Sequence, residues 1–147
     1  MSLEADVRRM AGTHPFDLLP HEALQLIAFS CAKKILKAGE TLFVEGEPAD
    51  AAYFVLSGAI NLMSRDARRR VEAGALIGET ALLTDLLRRA SARAAEDSVA
   101  LRIPGQVFRR VLSEFPQAAA KIRAAASART RDFLERLEEV RARAFDA

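Results

Sequence analysis

The sequence predicts an α+β fold, in which an antiparallel β-roll or jelly-roll barrel (a double-stranded β-helix) is flanked by N-terminal helices and a long C-terminal helix. Two observations carry this prediction. Between Glu40 and Ile103, short apolar runs of period two are separated by glycines, which is typical of short strands joined by tight turns. On both sides of that region the apolar residues recur at helical spacing. Many short strands favour sheets that pack face to face or close on themselves.

The chain begins with a helical pattern that extends from residue 7 to residue 37. Pro20 stands where a helix is expected to start, because its missing N–H is not needed in the first turn. One face of the helix that follows is apolar, and its members are Ala23, Leu24, Ile27, Ala28 and Cys31.

The middle of the chain contains the predicted strands. Alternation places Phe54 and Leu56 on one face, and we expect Ile60 and Leu62 to continue that face across Gly58. A later strand carries Val99, Leu101 and Ile103 on one face. Residues 74–92 are predicted to hold the only helical interruption of the strand region.

The chain ends in a predicted helix that contains no glycine or proline from residue 117 to residue 147. A short helix over residues 106–114 and a break at Pro116 precede it, so we divide the chain into residues 1–116 and residues 117–147. At 1.5 Å per residue the long helix spans roughly 45 Å, more than a small barrel needs for cover. Its apolar stripe is Ala126, Thr130, Phe133, Leu137, Val140 and Ala144. The stripe either packs on the chain's own barrel or pairs with a second copy, and we expect a homodimer.

Composition excludes several classes of function. The 22 Lys and Arg residues nearly balance the 20 Asp and Glu residues, so no general surface for nucleic acid is expected. Cys31 is the only cysteine and there are two histidines, which rules out a disulfide framework or a Cys/His zinc site within one chain. No nucleophile is paired with a base, so we do not expect an enzyme. We expect a cytoplasmic protein without membrane insertion, because no run of about 20 apolar residues occurs.

The most informative segment, residues 74–92, combines a glycine turn, a carboxylate and an arginine pair. Gly78 permits close backbone approach, and the N–H groups after it attract an anion. Arg89 offers two parallel hydrogen bonds to phosphate oxygens, and Arg88 is interpreted as a solvated neighbour. Glu79 is better suited to accept a hydrogen bond from a sugar hydroxyl. The segment therefore predicts a sugar phosphate or nucleotide as ligand.

This segment resembles the phosphate-binding cassette of cyclic nucleotide-binding domains, whose pattern is approximately Phe-Gly-Glu-Leu-Ala-Leu, a short loop, and then Arg-Ala/Ser/Thr-Ala-Thr/Ser. Here the two blocks read Ile77-Gly78-Glu79-Thr80-Ala81-Leu82 and Arg89-Ala90-Ser91-Ala92. Residues 39–50 resemble the entry hairpin of that family, and residues 53–60 resemble its central strand. The resemblance covers roughly residues 16 to 137.

The resemblance implies a role for each matching residue. Glu79 would accept from the ribose 2′-hydroxyl, and Arg89 would neutralise the cyclic phosphate. The remaining contacts would come from Gly78, Thr80, Ala81, Ala90 and Ser91. Several family members that prefer cGMP have threonine directly after the arginine, and Ala90 at that position favours cAMP over cGMP. The lid over the base would be the helix near residues 122–130.

Three departures from the family pattern bear on ligand binding. Thr80 replaces leucine or isoleucine, Leu87 replaces proline, and Arg93 occupies a strand position usually held by valine. An inward Arg93 would either pair with phosphate or block the base site. The predicted function is therefore a cyclic-nucleotide sensor that signals through its C-terminal helix, with a protein effector as a further partner. The alternative is a ligand-free dimerisation or interaction scaffold. A transcription factor is disfavoured, because no helix-turn-helix follows the long helix.

Overall fold

The computed structural model describes residues 3–146, with side chains described for residues 4–129, 131–132 and 134–139. Its α-helices are α1 (Leu3–Met10), α2 (His21–Phe29), α3 (Gly105–Glu114) and α4 (Pro116–Asp146). The strands are β1 (Ala32–Leu36), β2 (Thr41–Phe43), β3 (Pro48–Ala49), β4 (Ala51–Ser57), β5 (Ala59–Met63), β6 (Arg68–Glu72), β7 (Leu76–Ile77), β8 (Leu86–Leu87), β9 (Ser91–Ala94) and β10 (Ser98–Pro104). Short 3-10 helices lie at Phe16–Leu18 and Glu79–Leu82.

The strands form two four-stranded sheets, with the orders β1-β10-β4-β7 and β2-β9-β5-β6. A two-stranded sheet joins β3 to β8, and every pairing is antiparallel. This arrangement of antiparallel sheets with flanking helices confirms the predicted jelly-roll-like α+β fold. Within the described residues, no helix is both long and apolar enough to cross a lipid bilayer.

Two hydrophobic cores lie on opposite faces of β4. Tyr53 and Val55 point into a core between the two sheets. Phe54 and Leu56 point into a second core beneath the helices, where Phe16 and Phe108 meet edge to face at 6.0 Å. Because both faces of β4 are covered, its sequence is continuously apolar instead of alternating.

The expectation that Phe54, Leu56, Ile60 and Leu62 share one face is wrong. Ile60 is buried between the sheets, whereas Phe54 is buried beneath the helices. Gly58, at φ +84°, turns the chain from the first sheet into the second. The turn breaks the alternation, so the period of two cannot be counted across it. The face shared by Val99, Leu101 and Ile103 is confirmed, since all three pack toward the helical core.

The predicted N-terminal helical region is too long at its C-terminal end. α2 begins at His21, directly after Pro20 as expected, but it ends at Phe29. Residues 32–36 form β1, which pairs along its full length with β10. Leu36 enters the core between the sheets from this strand, so pairing with β10 outweighs the local helical spacing.

α3 and α4 each begin one residue before the predicted start, at Gly105 and Pro116. The first turns of α4 belong to the helical core through Ala118, Ala119 and Ile122. Farther along, Leu134 and Leu137 are 52% and 42% exposed. Among the other stripe residues, the side chains of Thr130, Phe133, Val140 and Ala144 lie outside the described residues.

Candidate functional site

The candidate site is built on the 3-10 helix at Glu79–Leu82, which connects β7 to β8. Gly78 precedes this helix with φ +72°, a left-handed conformation that favours glycine. The N–H of Ala81 donates to the carbonyl of Gly78 at 3.0 Å. The N–H groups of Glu79 and Thr80 come before that first bond of the turn and are not needed inside it.

Arg88 places its guanidinium inside the protein next to this turn. Its side chain is only 4% exposed, and its Cζ lies 4.1 Å from the centre of the Phe43 ring. Its Nη2 donates to the carbonyl of Ala51 at 2.8 Å. The carboxylate of Asp50 is farther away, with 3.9 Å between Arg88 Nη2 and Asp50 Oδ1. The cation is therefore buried against an aromatic ring, and its ion pair with Asp50 is long.

Two nitrogens of this guanidinium have no hydrogen-bond partner among the described residues. Nε and Nη1 of Arg88 are both buried and unsatisfied, although buried polar atoms in proteins are nearly always paired. Burial lowers the pKa of Arg88, and the Tyr53, Asp50 and Glu47 side chains partly oppose that effect. A buried cation with two free donors is suited to receive an anion with several acceptor oxygens.

Arg88 and Arg89 lie in the opposite environments from those expected. The interpretation of Arg88 as a solvated residue is wrong, because Arg88 is buried while Arg89 is exposed. Side chains alternate here, so Leu87, at 62% exposure, and Arg89 both point outward. The sequence contains a pattern that indicates the burial of Arg88. Counting back in steps of two from the small inward residue Ala92 reaches Ala90 and then Arg88.

A cavity of about 180 Å³ collects most of the predicted ligand-binding residues. It is lined by Phe43, Ala49, Leu62, Ile77, Gly78, Thr80, Leu87, Arg88, Arg89 and Ala90. Gly78 approaches Arg88 so closely that a Cβ on Gly78 would lie 2.6 Å from Nη1 of Arg88. We refer to this space as the Arg88 cavity.

Three predicted residues lie outside this lining, and two of them, Ala81 and Ser91, have structural contacts. Ala81 is buried, and its carbonyl accepts from Nη1 of Arg109 at 3.3 Å. Ser91 Oγ accepts from the N–H of Glu45 at 2.9 Å, which ties the start of β9 to the chain after β2. Both residues therefore hold the walls of the site in place.

Glu79 does not line the Arg88 cavity. Its Oε1 accepts from Nη1 of Arg129 on α4 at 2.9 Å and lies 3.7 Å from Nε2 of His14. It lines a second cavity of about 210 Å³, together with Thr80 and residues of α4. Sequence reasoning missed both His14 and Arg129, because neither belongs to a local motif and each is far from Glu79 along the chain.

The side chain of Arg93 does not enter the interior between the sheets. Its side chain is exposed, and its Nε donates to the carbonyl of Gly39 at 2.7 Å. In the sheet it lies opposite Thr41 and Asn61. The inner face of β9 is formed by the buried Ala92 and Ala94, so Arg93 neither blocks the site nor contributes a cation to it.

Known proteins are similar to this chain in sequence and in fold. A family model described as a cyclic nucleotide-binding domain matches residues 33–115. The chain is 30% identical over 125 residues to a lysophospholipase of Neurospora crassa, a match that covers 81% of this chain and 8% of the relative. The chain thus spans less than a tenth of that protein's length, and the match concerns a small part of it.

Two solved structures are similar along most of the chain. A cyclic nucleotide-binding-like protein of Brucella abortus superposes with a TM-score of 0.67 at 35% identity, covering 74% of this chain and 98% of that one. The sensor domain of the transcriptional regulator DNR of Pseudomonas aeruginosa superposes with a TM-score of 0.78 at 21% identity, covering 90% and 93%. The second likeness concerns the fold alone.

Proposed function

This chain belongs to the cyclic nucleotide-binding domain family, and from that premise we propose that it binds a cyclic nucleotide and acts as a regulatory sensor. The observation that carries the proposal is the buried guanidinium of Arg88, which belongs to the lining of a cavity and has two buried nitrogens without a hydrogen-bond partner among the described residues. A cyclic phosphate supplies both the negative charge and the acceptor oxygens that this group lacks.

Energetics favour a ligand over an empty site. A buried cation without sufficient partners destabilises the folded chain, because its lost hydration is not replaced. Stacking on Phe43 and the bond to the Ala51 carbonyl offset only part of that loss. Such a group is best explained by a function that uses it, since protein stability alone would favour an apolar side chain.

The remaining contacts follow from the residues around the Arg88 cavity. Backbone amides near Gly78 and Thr80 approach the phosphate, and Glu79 accepts from the ribose hydroxyl after turning toward the cavity. Arg89 lies at the exposed rim, while Ala90 and Ser91 flank the ligand. With Arg88 as the phosphate ligand, the residue directly after the arginine is Arg89 and not Ala90, so the reason for preferring cAMP no longer applies and both cyclic nucleotides are candidate ligands.

Signalling is assigned to α4. Arg129 and Ile122 of this helix line the cavity that contains Glu79, so a ligand that moves Glu79 also changes what α4 contacts. The exposed Leu134 and Leu137 suit a second copy of the helix, and we propose a homodimer that transmits the change to a protein effector. The exposed leucines also support the alternative, in which the chain serves as a ligand-free dimerisation scaffold.

Thermal unfolding in the presence of cAMP, cGMP or 5′-AMP tests the proposal. A ligand present at about 100 times its Kd adds about 2.7 kcal/mol to the free energy of unfolding. For a chain of 147 residues this raises Tm by roughly 5–10 °C. We expect a rise with at least one of the two cyclic nucleotides and little with 5′-AMP, which lacks the cyclic diester. No rise with either cyclic nucleotide would favour the scaffold.

A further inference from the structure

Glu79 is held by a helix that lies fifty positions farther along the chain. Its Oε1 accepts from Nη1 of Arg129 at 2.9 Å. The imidazole of His14 approaches the same oxygen, with Nε2 at 3.7 Å, while its Nδ1 lies 3.4 Å from Asp17. The carboxylate thus joins the 3-10 helix of the site to α4 and to the segment before α2.

The carboxylate faces away from the Arg88 cavity. Gly78 and Thr80, the residues on either side of Glu79, both line that cavity, but Glu79 lines the neighbouring one. A ribose attached to a phosphate at Arg88 needs the carboxylate on the other side of the turn. We therefore expect a turn of the carboxylate toward a ribose there to break the hydrogen bond from Arg129.

The cavity volumes agree with this geometry. The two spaces measure about 180 and 210 Å³, whereas pockets that enclose a small ligand usually begin at about 300 Å³. Thr80 lines both of them. We expect the turn or α4 to move when a nucleotide enters, and the ion pair between Glu79 and Arg129 opposes that movement.

We propose that Arg129 and the nucleotide's ribose hydroxyl compete for the carboxylate of Glu79, so that binding releases α4 from the Glu79 turn. The inference rests on the proposed function for its ligand and deepens it, because it names the contact through which binding reaches the helix. Arg129 is a positioning residue of the ligand-free chain and leaves Glu79 when the ligand binds.

The ion pair between Glu79 and Arg129 is weak enough to be released reversibly. The side chains of Glu79 and Arg129 are 37% and 57% exposed, so water screens their attraction. Exposed ion pairs of this kind shift an equilibrium by about two- to five-fold. The binding free energy of a ligand with a micromolar Kd is larger than the free energy of this ion pair.

Hydrogen exchange of the α4 amides in the nucleotide-free chain tests the contact without any ligand. In Arg129→Gln we expect residues 119–129 to exchange about two- to five-fold faster than in the wild type. Arg131→Gln is the matched control, since Arg131 lies two positions away and about 200° around the helix. Unchanged exchange in Arg129→Gln, or equal effects in both variants, would overturn the inference.

Charge reversal distinguishes this ion pair from a general packing role. Glu79→Arg alone places two cations together and speeds α4 exchange. Adding Arg129→Glu restores an opposite pair and returns exchange toward the wild-type rate. Failure of the double variant to recover would contradict a direct interaction between the two side chains.

The affinity for cAMP gives the second test. Arg129→Gln removes the competitor and lowers the Kd for cAMP by about two- to five-fold, whereas Arg131→Gln leaves it unchanged. A higher Kd in Arg129→Gln would overturn the competition, because Arg129 would then support Glu79 in the complex. Absence of binding by every variant and by the wild type would overturn the proposed function, while unchanged exchange overturns the contact between helix and turn.

Discussion

Arg88 is held in place by contacts that exist without a ligand. Its guanidinium stacks 4.1 Å from the Phe43 ring centre and donates to the Ala51 carbonyl. These contacts fix the direction of the side chain, and under the proposed function the two unsatisfied nitrogens donate to the phosphate. Preorganised donors of this kind lose little side-chain entropy on binding, which favours affinity.

Cys31 gives a prediction that is independent of the nucleotide. Its Sγ donates to the carbonyl of Ile27 at 3.2 Å, and burial, with a smaller contribution from Asp6, raises the pKa of the thiol to about 12. Only the thiolate reacts with iodoacetamide. Compared with a free thiol of pKa about 8.5, alkylation at about pH 8 is expected to be slower by on the order of a thousandfold.

Mass spectrometry of the native chain measures this rate, and the chain unfolded in guanidinium provides the control. A native rate close to that of the unfolded chain would contradict the burial of the thiol. The raised pKa of Cys31 also makes the free energy of unfolding depend on pH. The folded pKa exceeds the unfolded one, so the contribution of the neutral thiol is complete below about pH 8.5 and declines as the pH rises toward about 12.

The site residues show what local patterns can and cannot predict. Gly78 was found because a turn before a short helix needs a residue that accepts positive φ, and its φ is +72°. Whether Arg88 or Arg89 is the phosphate ligand depends on a shift of one residue in the match to the family pattern. The structure buries Arg88 and exposes Arg89. Arg129 could not be found, because its contact with Glu79 depends on how α4 folds back over the site.

At the scale of elements, α4 is buried at its start and exposed farther along. Its start is anchored by Ala118, Ala119 and Ile122 in the helical core. Beyond Arg129 it presents Leu134 and Leu137 to solvent. The absence of glycine and proline made this helix predictable, since helical spacing is a reliable signal over a long run. The strand β1 was missed because pairing with β10 decides its conformation.

The exposed leucines of α4 predict that two copies associate. We expect sedimentation velocity at micromolar concentration to show a dimer for the wild type and a monomer for Leu134→Glu/Leu137→Glu, because charges in an apolar seam disfavour association. Arg131→Glu, which changes charge on the same helix without removing an exposed leucine, is the control. A wild-type monomer with and without nucleotide would count against the dimer.

At the scale of the whole molecule, the site lies where the parts of the fold meet. β4 separates the core between the sheets from the core beneath the helices, and the turn at Glu79–Leu82 contacts both β4 and α3. Gly105, the first residue of α3, lies directly against the carbonyl of Ala81. The turn is therefore in direct packing contact with the helical layer. The sequence predicted the two layers, but the tertiary contacts that join them depend on the assembled fold.

Isothermal titration of cAMP into Arg88→Gln and Arg89→Gln tests most directly whether the buried guanidinium binds the phosphate. Urea unfolding of both ligand-free variants provides the control, because it shows whether each variant is folded before cAMP is added. Arg88→Gln should raise the Kd by about 30-fold or more, because a buried charged partner of the phosphate is lost. Arg89→Gln should change it by less than about three-fold. Binding that survives in a folded Arg88→Gln and is lost in Arg89→Gln would contradict the account.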